Sequence, residues 1–233
     1  MATGGESDRS APEGVQRSSA LAVISLFAGI FTVVFAVAGF VQPDPNPPAV
    51  LSSYQANQSL YAFGSYSAAL FGLTVIPYFA VLGTVFWRRA NAVTLGATLL
   101  VAVGISAYVI GWTLGNFAVA TASTIAAPSP AVASYQAGYM YWTAKNVTIM
   151  GLVFFSLGFA LFGCLAWNSR ILPNWLAVVG IIGGISGLLI FNVIAYDIES
   201  VGFIGQAVIQ PAALAIWAFA SVLLFTRGPR SSN

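Results

Sequence analysis

Six long apolar runs divide the chain, at about 19–41, 66–87, 92–118, 147–167, 174–196 and 204–226, and the arginines collect at one end of them. Arg9 and Arg17 precede the first run. Arg88 and Arg89 lie between the second and third, Arg170 between the fourth and fifth, and Arg227 and Arg230 after the sixth. A chain that crosses a bilayer at each run puts all of these on one side. Positively charged loops stay in the cytoplasm, so that side is predicted to be cytoplasmic.

Each run reaches the ~20 mostly apolar residues that a spanning helix needs. With no water in the bilayer core, a spanning backbone must satisfy itself as a helix or in a closed barrel. Barrel strands are about ten residues long and alternate in polarity, whereas these runs are longer and apolar all round. Charged residues make up 6% of the chain, against about 25% in soluble domains. The sequence therefore predicts an all-α membrane protein. It has six transmembrane helices, arranged as three outward-looping hairpins, with both termini cytoplasmic. Residues 1–18, rich in Gly, Ser, Glu and Arg, read as a disordered tail. Residues 19–226 read as one transmembrane domain and 227–233 as a second tail.

The charges divide along the same line. The inner side carries the arginines against Glu6, Asp8 and Glu13, and the outer side carries Lys145 against Asp44, Asp197 and Glu199. No basic patch exists for a nucleic acid, and Arg88 with Arg89 are too few for a polybasic lipid-binding cluster. With no histidine in the chain, the commonest metal ligand and proton shuttle is missing. Cys164 is the single cysteine and reads as a small hydrophobe within the fourth run. No phosphate loop, nucleophile elbow or metal-spaced cluster is present. No cofactor and no enzymatic activity are expected. Ala36-Val37-Ala38 resembles a signal-peptide cleavage site, but the long, mixed-charge tail before the first run favours a retained anchor.

The two longer outer connections resemble each other. Pro48-Ala49-Val50-Leu51-Ser52-Ser53-Tyr54-Gln55-Ala56 matches Pro130-Ala131-Val132-Ala133-Ser134-Tyr135-Gln136-Ala137 with one gap. The likeness continues through Gly72 and Gly151, Gly83 and Gly163, and Trp87 and Trp167. This predicts a repeat in which the first hairpin recurs as the second. Helically spaced Val132, Tyr135, Tyr139 and Trp142 predict a short helix on the outer membrane surface. The briefer series Val50, Leu51 and Tyr54 predicts another.

Lipid gives apolar helices no reason to associate, so close backbone approach and polar bonds must hold them. Small-xxx-small spacing marks Gly111 and Gly115 in the third helix and Gly180, Gly183, Gly184 and Gly187 in the fifth as packing faces. Pro77 and Pro211 are expected to kink their helices. Polar residues near the outer ends of the spans form a candidate cluster of Asn116, Trp142, Lys145, Asn146, Asn192, Tyr196, Asp197, Glu199, Gln206 and Gln210. Within it, Lys145 is expected to pair with Asp197 or Glu199, because an ionisable group near the membrane needs a partner.

The segments Phe155-Ser156-Leu157-Gly158-Phe159-Ala160-Leu161, Ser169-Arg170-Ile171-Leu172-Pro173-Asn174-Trp175-Leu176 and Gln210-Pro211-Ala212-Ala213-Leu214-Ala215-Ile216-Trp217 resemble an uncharacterised family of bacterial six-helix membrane proteins. That family shows a Ser-Arg-x-x-Pro-x-Trp-Leu segment before its fifth helix. The likeness covers about 155–217, while the N-terminal half matches in helix number. It implies the six-helix fold and a bacterial cytoplasmic membrane, and it carries no activity. The sequence thus reads as a multi-pass scaffold or accessory subunit that contacts lipid and other membrane subunits or a second copy of itself. The alternative is a small-solute or lipid-headgroup transporter or binding protein that uses the outer polar residues.

Overall fold

The computed structural model describes residues 19–41, 50–124, 129–189 and 204–227, and the described residues are all-helical. The helices are α1 (Ser19–Val41), α2 (Val50–Ala56), α3 (Gln58–Trp87), α4 (Asn91–Thr124), α5 (Pro130–Ser169), α6 (Asn174–Gly187) and α7 (Gln210–Arg227). A π-helical turn, Ile204–Ile209, runs directly into α7. Five helical stretches are long and apolar enough to cross a membrane. The apolar helix Asn174–Gly187 is shorter. The last seven residues of the expected fifth span, 190–196, lie outside the described residues.

The polarity of the surface is that of a membrane protein. On α1 the buried face is mostly small, with Ala22, Ser25, Ala28, Gly29, Thr32 and Ala38, joined by Phe35. The outward face carries Val23, Phe27, Ile30, Val33, Val37 and Phe40. Water would make such a face a large exposed apolar patch. Lipid accepts it, while the small residues let backbones approach. Buried hydroxyls turn back onto their own helices. Ser25 Oγ donates to Leu21 O at 2.7 Å and Thr32 Oγ1 to Ala28 O at 2.6 Å, so neither is stranded.

The six longer helices close a circuit. α1 packs on α3, α3 on α4, α4 on α5, α5 on α6, α6 on α7, and α7 back on α1. The α4–α5 contact is the most extensive, and glycines explain why. A Cβ on Gly104 would fall on the backbone of Phe155, and one on Gly151 would fall on the backbone of Tyr108. A Cβ on Gly158 would lie 2.8 Å from Val101 N. Aromatic rings fill the middle of the circuit. Phe79 of α3 lies 4.9 Å from Phe162 and 5.6 Å from Phe159 of α5, and Phe159 meets Trp217 of α7 edge-on at 5.5 Å.

Three helices run past the expected spans. The second helix begins at Gln58 instead of 66, and the third runs to Thr124 instead of 118. The fourth begins at Pro130 instead of 147. The surface helix expected around Val132–Trp142 is therefore no separate element but the first part of α5. Hydropathy registers transfer into lipid, whereas a helix ends where its backbone groups find other partners. In α5 that point is Ser129, whose Oγ accepts from Val132 N at 3.3 Å, with Pro130 in the first turn. The separate short helix expected at the first outer connection is present as α2. Pro77 lies inside a continuous α3. Pro211 lies at the junction of the π-helical turn with α7, where its missing N–H suits a widened turn.

Candidate functional site

Much of α4 and α5 exceeds what a bilayer can hold. With 34 and 40 residues they are about 51 and 60 Å long, against a hydrocarbon thickness of about 30 Å. Tyr66 and Trp87 on α3, both exposed, stand about 31 Å apart along the helix axis and match that thickness. Beyond the level of Tyr66, the start of α3, the end of α4, the start of α5 and α2 form a helical cap.

The cap has its own small core of Val50, Val119 and Ala137, with Leu51, Tyr54 and Tyr141 packed around it. Asn57 Nδ2 donates to Ser53 O at 2.9 Å, tying the α2–α3 corner. Ser53 Oγ and Tyr61 OH lie 3.1 Å apart, and the Tyr54 and Tyr61 rings 5.3 Å apart. The outer face of this region leaves Phe117, Tyr135 and Tyr139 exposed at 67%, 76% and 68%.

The expected outer cluster separates into distinct contacts. Asn116 is buried, and its Nδ2 donates to Tyr61 O at 3.1 Å and Ser65 Oγ at 2.9 Å, fastening α4 to α3. Lys145 Nζ sits over the Trp142 ring at 5.0 Å on the same helix, a cation–π arrangement. Asn146 is exposed and Gln206 half-buried. Asn192, Tyr196, Asp197 and Glu199 lie outside the described residues, and with them the expected pairing of Lys145. Gln210 is not at the level of Lys145. Its Nε2 donates to Ser156 Oγ at 2.8 Å, about 16 Å further along α5, and Gln210 is buried. The π-helical turn Ile204–Ile209 precedes Gln210, so Gln210 already lies deep in the bundle, which a count of residues from the end of an apolar run does not show.

The expected packing glycines fall as follows. A Cβ on Gly111 would lie 2.5 Å from Thr148 Oγ1 and 2.6 Å from Thr148 N, so α4 and α5 touch there. At Gly115 a Cβ would make an ordinary contact, 3.4 Å from Ala144 Cβ. Gly180 receives the edge of the Trp217 indole, and Gly183 faces Ala213 and Phe159. Gly184 abuts the Ala160 backbone, and Gly187 leaves the space that Ser156 and Gln210 occupy. All four glycines of α6 therefore face α5 or α7.

Other polar contacts had little or no sequence signal. Tyr78 OH lies 2.9 Å from Ser221 Oγ and joins α3 to α7, and Trp217 Nε1 donates to Leu176 O and joins α7 to α6. Ser156 did carry a signal, as a lone hydroxyl between Phe155 and Leu157. At the arginine end, Arg89 Nη1 donates to Ser169 O at 2.9 Å. The corner after α3 and the corner after α5 therefore share one end of the bundle.

No group of three or more His, Cys, Asp or Glu that could hold a metal occurs among the described residues. What this arrangement supplies chemically is hydrogen-bonded fastening between helices, an aromatic-filled interior and exposed aromatic side chains on the cap. No curated protein and no solved structure matches the chain. A family model does match, over residues 19–226 and thus over most of the chain, and the chain belongs to that family, described as Domain of unknown function (DUF4386).

Proposed function

We propose that the chain is a six-span protein of the bacterial cytoplasmic membrane, with both termini cytoplasmic, acting as a non-enzymatic scaffold or accessory subunit. The observation that carries this reading is the cap. α4 and α5 extend about 20–30 Å further than a bilayer needs, and the extension exposes Phe117, Tyr135 and Tyr139 instead of burying them. Aromatic residues on a rigid helical surface are the groups that anchor protein partners.

Three contacts support the three-hairpin arrangement. The bond from Arg89 to Ser169 places the two arginine-bearing corners together, as the positive-inside rule requires. Gly83 faces Thr98 of α4 and Gly163 faces Ile181 of α6. These repeat-matched glycines thus each lie where the second helix of one hairpin meets the first helix of the next. A transporter is less well supported. Phe79, Phe159, Phe162 and Trp217 are each fully buried in the middle of the circuit, and Asn116 and Gln210 fasten different helix pairs.

The test is site-specific photo-crosslinking in intact membranes. A crosslinker at Tyr139 captures a defined protein partner, one at the lipid-facing Ile30 captures none, and Tyr135→Ala with Tyr139→Ala removes the complex. A monomer with no crosslink from Tyr139 contradicts the reading.

A further inference from the structure

A groove of about 470 Å³ opens between α3 and α4 at the arginine end, within the ~300–1,000 Å³ usual for ligand sites. Its walls are Ala80, Gly83 and Thr84 from α3 and Leu95 and Thr98 from α4. The groove exists because these α3 residues are small where the same helix elsewhere exposes Phe63, Leu70 and Leu73. Both threonine hydroxyls return to backbone, Thr84 Oγ1 to Val81 O at 2.7 Å and Thr98 Oγ1 to Thr94 O at 2.8 Å, so the walls present carbon outward.

The mouth has a different character. Trp87 and Arg88 line it, and both are exposed. α4 begins at Asn91, three residues before Thr94, so the positive end of that helix lies close to the mouth. Thr94 also lines the groove, is 1% exposed, and its Oγ1 has no hydrogen-bond partner among the described residues. From Arg88 down to Ala80 the groove follows α3 for about 12 Å, from headgroup level into hydrocarbon.

We infer that this groove binds one anionic glycerophospholipid, with its phosphate at Arg88 and an acyl chain along Ala80, Gly83 and Thr84. The carbon walls match a chain already dissolved in the bilayer. The guanidinium and the helix end match a net negative headgroup, and Trp87 sits where an indole prefers to lie, at the interface. A zwitterionic lipid offers the same chain and phosphate, but its ammonium cancels the attraction.

Native mass spectrometry of the full chain in neutral detergent tests this, with equal amounts of dioleoyl phosphatidylglycerol and dioleoyl phosphatidylcholine added. The unchanged protein retains one phosphatidylglycerol about fivefold over phosphatidylcholine, the discrimination that one arginine at a membrane surface supplies. Arg88→Gln brings the ratio close to one while lipid is still held. Ala80→Phe, at an exposed position that fills the groove, loses both lipids, whereas Ala212→Phe on the exposed face of α7 behaves as the unchanged protein. If Ala80→Phe melts early, Thr84→Leu fills the same space from another exposed position and is read instead. An unchanged protein without preference, an Arg88→Gln variant that keeps it, or a filled groove that still retains lipid overturns the site.

Discussion

Gln210 Nε2 donates to Ser156 Oγ across 2.8 Å, and Gly187 stands beside the pair with no side chain to displace it. Three helices, α5, α6 and α7, thus meet at this polar contact. Ser156 Oγ also donates to Leu152 O at 2.6 Å, which completes the chain of bonds back to the α5 backbone.

Gln210→Leu is expected to cost roughly 0.6–1.7 kcal/mol, the range of interhelical hydrogen bonds in membranes. Gly187→Val is expected to cost more, because its Cβ would land on both partners. Reversible unfolding in bicelles, followed by steric trapping, measures both. Equal stability of Gln210→Leu and the unchanged protein removes the structural role given to this bond.

Gly104 and Gly96 lie two turns apart on α4 and should respond in opposite ways. Gly104→Val drives a side chain into the α5 backbone and is expected to destabilise by about 3 kcal/mol or more, the upper end of overpacking costs. Gly96→Ala meets nothing within 4 Å and is expected to stabilise by up to about 1 kcal/mol through helix propensity. Melting of the purified variants gives the signs, and a neutral Gly104→Val contradicts the close α4–α5 approach.

Arg170 ends α5 with φ at 53°, the one left-handed non-glycine residue among those described, and its N–H donates to Ala166 O at 3.2 Å. Left-handed backbone costs a side chain roughly 1–2 kcal/mol. Arg170→Gly is therefore expected to raise stability by about 1 kcal/mol, while Arg170→Ala, which keeps the Cβ, is not. A gain from alanine equal to that from glycine places the effect in the charge and not in the backbone.

Cysteine accessibility tests the orientation. In a Cys164→Ser background, Tyr139→Cys is expected to react with a membrane-impermeant maleimide added outside intact cells. Asn168→Cys, at the arginine end, is expected to react only after the membrane is opened. Labelling of both from the same side contradicts the proposed topology.

The sequence alone was enough to mark the helical class and the apolar stretches. Both follow from composition and spacing in a solvent that forbids unpaired backbone. Their limits show where that reasoning stops. The fourth apolar run starts near 147, yet α5 starts at Pro130, because lipid solubility sets the first position and backbone capping by Ser129 sets the second. Spacing marked Gly180 and Gly187 as contacts, but that one receives Trp217 and the other Gln210 and Ser156 depends on how far α7 slides past α6.

The order of amino acids thus decided that this chain forms apolar helices, where their small residues recur and which ends carry arginine, since these are properties of each segment in its solvent. Only the tertiary structure decided that Gln210 lies deep against Ser156 instead of beside Lys145, that α4 and α5 rise together into a cap, and that α3 and α4 leave a groove beside Arg88. Those features depend on the relative translation of packed helices. That translation is fixed by which backbones can approach and which polar atoms then meet, and no single segment contains it.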